Sequence, residues 1–208
     1  MSAGPLNRRG FTLIEVAVVS AVILLLMSGV YTVVAGGMRY LRLAQAHQTV
    51  NQQAVVGMRR VISEVSCASQ SALQHADLPR DYLLFLSPLA PGPAASTDYT
   101  YNGTSLEWKK WVCFYLDDDN RLVRAELALP TPTTNPGGEA IPDFANDILP
   151  LPAQPVAHNV EEVDFSTPAS GAVTVELRTF QETGSAKADG TKRETAMRLI
   201  SSLRIVNL

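Results

Sequence analysis

The sequence predicts an α+β protein: a long N-terminal α-helix, membrane-spanning in its first half and amphipathic in its second, packed on an antiparallel β-sheet head. Three observations predict it. Residues 11–35 form an unbroken apolar run, residues 36–67 carry apolar side chains at helical spacing, and residues 68–208 break into short alternating segments punctuated by Pro, Gly, Asn and Asp.

From Phe11 to Ala35 the 25 residues contain no Pro, no Lys or Arg and a single carboxylate, Glu15. At about 1.5 Å per residue, a helix of this length crosses a hydrocarbon core of about 30 Å with some tilt. Arg8 and Arg9 precede it, with no acidic residue among residues 1–10. The positive-inside rule then places the N-terminus in the cytoplasm and everything after Ala35 outside it. Glu15 is the anomaly, because a carboxylate in the apolar layer costs about 2.5–3.5 kcal/mol on insertion scales. No basic side chain of the chain reaches it within the bilayer. Cleavage after Gly10 would create an ammonium at Phe11, and the ammonium of a neighbouring copy would lie level with Glu15. A secretory signal cleaved after Ala35 fits less well, since its apolar core runs only about 7–15 residues and holds no acid.

Beyond Gly36 the pattern turns amphipathic. Met38, Leu41, Val50, Ala54, Met58, Val61, Val65 and Ala68 recur mostly at spacings of three and four, and no Pro intervenes, so the helix is expected to continue to about Ser66. Arg39, Arg42, Gln45, Gln48, Gln52, Arg59, Arg60 and Glu64 are read as its polar face. The apolar stripe is read as the side of a spine that packs on a sheet. The heptad is not sustained, which argues against a coiled coil.

In the head, residues 82–87 read as a buried strand, and Pro88, Pro91 and Pro93 as a loop. Tyr99 and Tyr101 face Leu106 and Trp108 across Asn102-Gly103, a two-residue hairpin signal. Residues 111–116 and 122–127 form a second hairpin around Asp117-Asp118-Asp119-Asn120-Arg121. That acidic turn lacks the Gly at its sixth position and the Glu at its twelfth that an EF-hand loop requires, so a solvated turn is expected rather than a metal site. Residues 130–155 hold seven prolines and read as a long surface excursion or a semi-rigid loop, a place suited to binding specificity. Residues 160–165, 173–180 and 197–206 alternate as strands.

Two cysteines, Cys67 and Cys113, both fall in the part assigned to an oxidising compartment, which makes them the candidate disulfide. Such a bridge would stabilise the fold by about 4 kcal/mol in the chain-entropy model. Removing the leader takes the formal charge from −3 to −5, so there is no broad electrostatic footprint for nucleic acid.

Gly10, followed by Phe11-Thr12-Leu13-Ile14-Glu15-Val16 and a long apolar helix, resembles the N-terminal signal of type IV pilins and type II secretion pseudopilins. The resemblance implies a leader, residues 1–10, removed by a prepilin peptidase between Gly10 and Phe11. It also implies N-methylation of Phe11 and a role for Glu15 in subunit registry, with Arg8 and Arg9 as the leader charge. Many major pilins carry a Pro near the middle of this helix, where this chain reads Val30-Tyr31-Thr32-Val33; Gly29, Gly36 and Gly37 are the available weak points. The acidic turn followed by Leu122-Val123-Arg124, then residues 160–165, then Leu203-Arg204-Ile205-Val206-Asn207, is similar to PilW-type minor pilins and J-type pseudopilins.

What the resemblance implies is a structural subunit of the inner (cytoplasmic) membrane that helps prime or cap assembly of a type IV pilus used in motility, adhesion or DNA uptake. The alternative is a J-type pseudopilin of type II protein secretion, and the remote one a membrane-anchored binding or enzymatic domain. The implied partners are the prepilin peptidase, other minor pilins or pseudopilins, the major pilin, membrane lipid and an inner-membrane platform with a separate ATPase. No phosphate loop, nucleophile elbow or metal motif occurs in the sequence. His47, His75 and His158 stand in unrelated contexts, so neither an enzyme nor a cofactor is expected.

Overall fold

The computed structural model describes residues 12–77, 80–91, 99–167, 172–182 and 194–205. One helix, α1 (Leu13–Val65), takes in both the apolar and the amphipathic stretch. It ends one residue short of the predicted Ser66. Gly29, Gly36 and Gly37 leave it uninterrupted, and each faces open space.

The chain divides into two compact units, residues 1–45 and 46–208. In the first, the large apolar side chains of α1 are exposed; Leu24 and Tyr31 are typical. In the second, Ala46, Val50, Ala54, Met58, Val61 and Val65 of the same helix are buried. The head therefore begins within α1 rather than at residue 68, because burial starts where the stripe acquires neighbours to pack on.

Among the described residues ten strands follow: β1 (Leu73–Ala76), β2 (Tyr82–Ser87), β3 (Tyr101–Asn102), β4 (Ser105–Leu106), β5 (Trp108–Leu116), β6 (Arg121–Thr133), β7 (Gln154–His158), β8 (Val160–Ser166), β9 (Ala172–Glu182) and β10 (Glu194–Arg204). They pair antiparallel into a five-stranded sheet in the order β1-β2-β5-β6-β7, a three-stranded sheet in the order β10-β9-β8, and the hairpin β3-β4. The hairpin turns at Gly103 and Thr104, one residue later than predicted, since Asn102 pairs with Ser105 and the left-handed φ of 66° falls on Gly103.

The period-2 alternation of strands sorts β2 and β5 between two cores. Leu83, Phe85, Val112 and Phe114 share one core with Ala54, Met58, Val61 and Val65 of α1 and with Val163, Phe165, Val175 and Leu177 of the smaller sheet. Burying each large side chain there stabilises the head by about 1.5–3 kcal/mol. Gly57 allows α1 close: a Cβ on it would stand 3.0 Å from the Ala157 Cβ and 3.1 Å from Leu177 Cδ2. Thr179 Oγ1 donates to the Val50 carbonyl at 3.2 Å, and the Gln53 side chain accepts from the His158 amide at 2.9 Å.

Tyr82, Leu84, Leu86, Trp111, Cys113 and Tyr115 face the other way, and the second core forms around them. Part of residues 130–155, the predicted surface excursion, supplies its cover. β6 continues through Pro130 and Pro132 to Thr133. After it, Phe144–Ile148 makes one π-helical turn, capped by Asp143 accepting from the Asn146 amide at 2.8 Å. Phe144 stacks on Tyr82 at 4.5 Å and meets Tyr115 edge-on at 5.2 Å, and Ile148 is fully buried. The segment is a lid on the outer face of the five-stranded sheet. From β7 the chain passes into β8 through Asn159, whose φ of 56° is left-handed, a conformation Asn tolerates.

Candidate processing and assembly site

The described part of the N-terminal motif begins at Thr12, where α1 starts. Thr12 and Glu15 form a reciprocal capping box. Glu15 Oε2 accepts from the Thr12 amide and from Thr12 Oγ1, each at 2.9 Å, and the Glu15 amide donates to Thr12 Oγ1 at 3.3 Å. A carboxylate at this position also faces the positive end of the helix dipole. Within the chain, the first partners of Glu15 are thus neutral groups three residues away. The T-x-x-E pattern in the sequence carries that signal. Oε1 takes no hydrogen bond among the described residues and remains open to a second partner.

From Val16 to Ala35, α1 presents a mainly apolar surface. Its most apolar 18-residue window has a mean hydropathy of 2.5 and none of that window is buried, so the helix is long and apolar enough to cross a membrane. Two hydroxyls of this stretch turn back on the helix: Ser20 donates to the Val16 carbonyl at 2.8 Å, and Thr32 to those of Ser28 and Gly29 at 3.0 and 2.8 Å. These groups are satisfied without water, as a bilayer demands.

Residues 5–31 match the family model of the prokaryotic N-terminal methylation motif. The match supports a type IV pilin-like N-terminus. No curated protein matches the chain. No solved structure matches it either. The motif implies processing by a prepilin peptidase and assembly with other pilins. For the pilin-like chain, the apolar helix is compatible with a single-pass membrane anchor. Gly10, Phe11, Arg8 and Arg9, the predicted cleavage junction and leader charge, lie outside the described residues.

Elsewhere in the chain the predicted sites sort differently. Cys67 and Cys113 are free thiols, not a bridge. The reason is strand parity, since Cys113 points into the second core, on the face of β5 opposite to the one that packs on α1. Burial pushes its thiol pKa up. Cys67 lies past the end of α1, 3.0 Å from the Tyr99 hydroxyl. In the acidic turn, Asp117 accepts from the Asp119 and Arg121 amides at 3.0 and 2.8 Å and from Arg121 Nε at 2.8 Å, while Asp118 takes Arg80 Nη2 at 2.7 Å. Its carboxylates are thus directed to arginines and backbone amides. His75 Nδ1 lies 3.0 Å from Thr167 Oγ1, and its Nε2 lies 3.8 Å from Asp77. Glu64, assigned to the polar face of the helix, is buried. It follows Val61 by three residues and precedes Val65, so its place at the border of the apolar stripe was the available sign.

Proposed function

We propose that the chain is a minor pilin, a structural subunit that helps prime or cap assembly of a type IV pilus. The observation that carries the reading is the methylation motif at residues 5–31, set at the head of an exposed apolar helix whose one acid is Glu15. In the membrane the helix anchors the subunit, with its N-terminus cytoplasmic and its head outside. A prepilin peptidase cuts between Gly10 and Phe11 and methylates Phe11. The helix then leaves lipid for a bundle of similar helices, where its apolar surface stays buried. Glu15 keeps its Thr12 donors throughout and offers Oε1 to the terminal ammonium of a neighbouring subunit. The chain acts as a scaffold and not as an enzyme, and a separate ATPase supplies the energy. A J-type pseudopilin in type II secretion would use the same physics; piliation and secretion measured side by side in a deletion strain separate the two.

The capping box and the intersubunit pair separate by substitution. Glu15→Gln keeps an acceptor for Thr12 and removes the charge, whereas Glu15→Ala removes both. Both variants are expected to fractionate with the membrane as the wild type does. Both are expected to lower recovery in sheared filaments, or secretion, by at least about tenfold, equivalent to losing about 1.4 kcal/mol. Normal assembly of Glu15→Gln would remove the charge pairing from the mechanism.

A further inference from the structure

The core that joins the second half of α1 to the sheets is largely apolar, and besides the hydrogen bonds Thr179–Val50 and His158–Gln53 it is crossed by one line of charge. Glu64, in the last turn of α1, accepts at Oε2 from Arg124 Nε of β6 at 2.8 Å. Arg124 Nη2 donates to Glu126 Oε2 at 2.9 Å, and Lys110 Nζ of β5 donates to the same oxygen and to the Ala90 carbonyl, each at 2.8 Å. Arg60, one turn before Glu64, brings its Nε within 2.6 Å of Glu64 Oε1. The side chains of Glu64, Arg124 and Lys110 are each 3% exposed.

Such a line is a poor source of stability. Desolvating charges opposes their attraction, and replacing a buried pair with apolar side chains of similar volume is often neutral or better. Here the pairing is also incomplete. Arg124 Nη1 is buried without an acceptor among the described residues, and Glu64 Oε1 meets Arg60 as an ion pair without hydrogen-bond alignment.

What the line adds is direction. The contacts of Ala54, Gly57, Val61 and Val65 are apolar and non-directional. A slide of α1 by one turn, about 5.4 Å, would exchange one set of small apolar groups for another. The charges distinguish these positions. Moving residue 60 into the place of residue 64 would set Arg60 against Arg124, two like charges in a poorly solvated interior. Sliding the other way would bring up Ala68, which lies past the end of α1, and leave Arg124 Nε without its acceptor, with Glu126 as its remaining carboxylate among the described residues.

We propose that Glu64 and Arg124 are positioning residues that fix the axial and rotational register of α1 on the five-stranded sheet. The inference deepens the assembly reading, since a filament built on helix packing places each head only as well as the helix holds its sheet. The test does not use assembly, so either reading can fail alone. Nitroxide labels at Gln52→Cys and Asp118→Cys, both exposed positions, report the helix-to-sheet distance in the purified full chain in detergent, on a Cys67→Ser background. The double variant Glu64→Met/Arg124→Met is expected to melt within about 4 °C of its parent. Its distance distribution is expected to broaden at least about twofold or to gain a second maximum displaced by about 5 Å, one helical turn. A distribution as narrow as the parent's would overturn the proposal, because apolar packing would then set the register unaided. A double variant that melts far lower or fails to fold would overturn it too, by assigning the pair to stability.

Discussion

Leu24, in the first compact unit, is 70% exposed, whereas Val61, on the same helix in the second, is fully buried. Both are aliphatic residues in regular helix, and what differs is their surroundings. Residues 13–35 keep one apolar surface for a medium outside the chain, whereas the head closes two cores within itself. Apolar composition alone therefore does not separate an anchor from a core. Periodicity does: the anchor is apolar all round, and the later stretch is apolar on one side.

If the head is held by burial and the anchor is not, substitutions should divide along the same line. The largest effect on melting of the full chain is expected from Phe144→Ala, which removes a ring packed between Tyr82 and Tyr115. A loss of about 3–5 kcal/mol in chemical unfolding would establish the 130–155 segment as core, and a loss near zero would return it to the surface. Gly57→Val follows. Its Cβ would meet Ala157 and Leu177 at closest approach, and the Ala157 Cβ is fixed to strand backbone, so a destabilisation of about 1–3 kcal/mol is expected.

Asp81→Asn should act weakly and in the opposite sense. Burial, reinforced by Asp77 and Asp164 and partly offset by His75, raises the Asp81 carboxyl above its ordinary 3.8. With the folded value raised, the stability from its protonated form is present below about pH 3.8 and is lost as pH rises through the folded value, so the ionised group opposes folding at neutral pH. The variant should melt slightly higher than the wild type at pH 7, by no more than about 0.5 kcal/mol, and equally at pH 3. Smallest of all, Leu24→Ala should leave melting of the head in detergent unchanged. A shift as large as that of Gly57→Val would erase the contrast between the two units.

The parts of this organisation that were legible in the sequence are those set by local pattern. The apolar run, the helix end near residue 66, the β5-β6 hairpin and the last three strands follow from spacing and turn residues. Features that depend on distant partners were not legible. Glu64 sits where the stripe meets the polar face, and its hydrogen-bonded cation is Arg124, 60 residues away. The bridge between Cys67 and Cys113 was inferred from compartment, while the parity of β5 aims Cys113 elsewhere. Proline count suggested a loop at 130–155, yet Phe144 and Ile148 were the residues to weigh, since two large apolar side chains in an excursion call for a surface to cover. At Glu15 the search for a countercharge passed over the T-x-x-E cap beside it.

The central claim is that an acid in an apolar anchor belongs to a chain processed between Gly10 and Phe11. Mass spectrometry of the N-terminal peptide, from protein purified out of its native membrane, tests it most directly. The account predicts a peptide that begins with N-methylated Phe11. A peptide beginning at Met1, or at Gly36 beyond the apolar run, would contradict it.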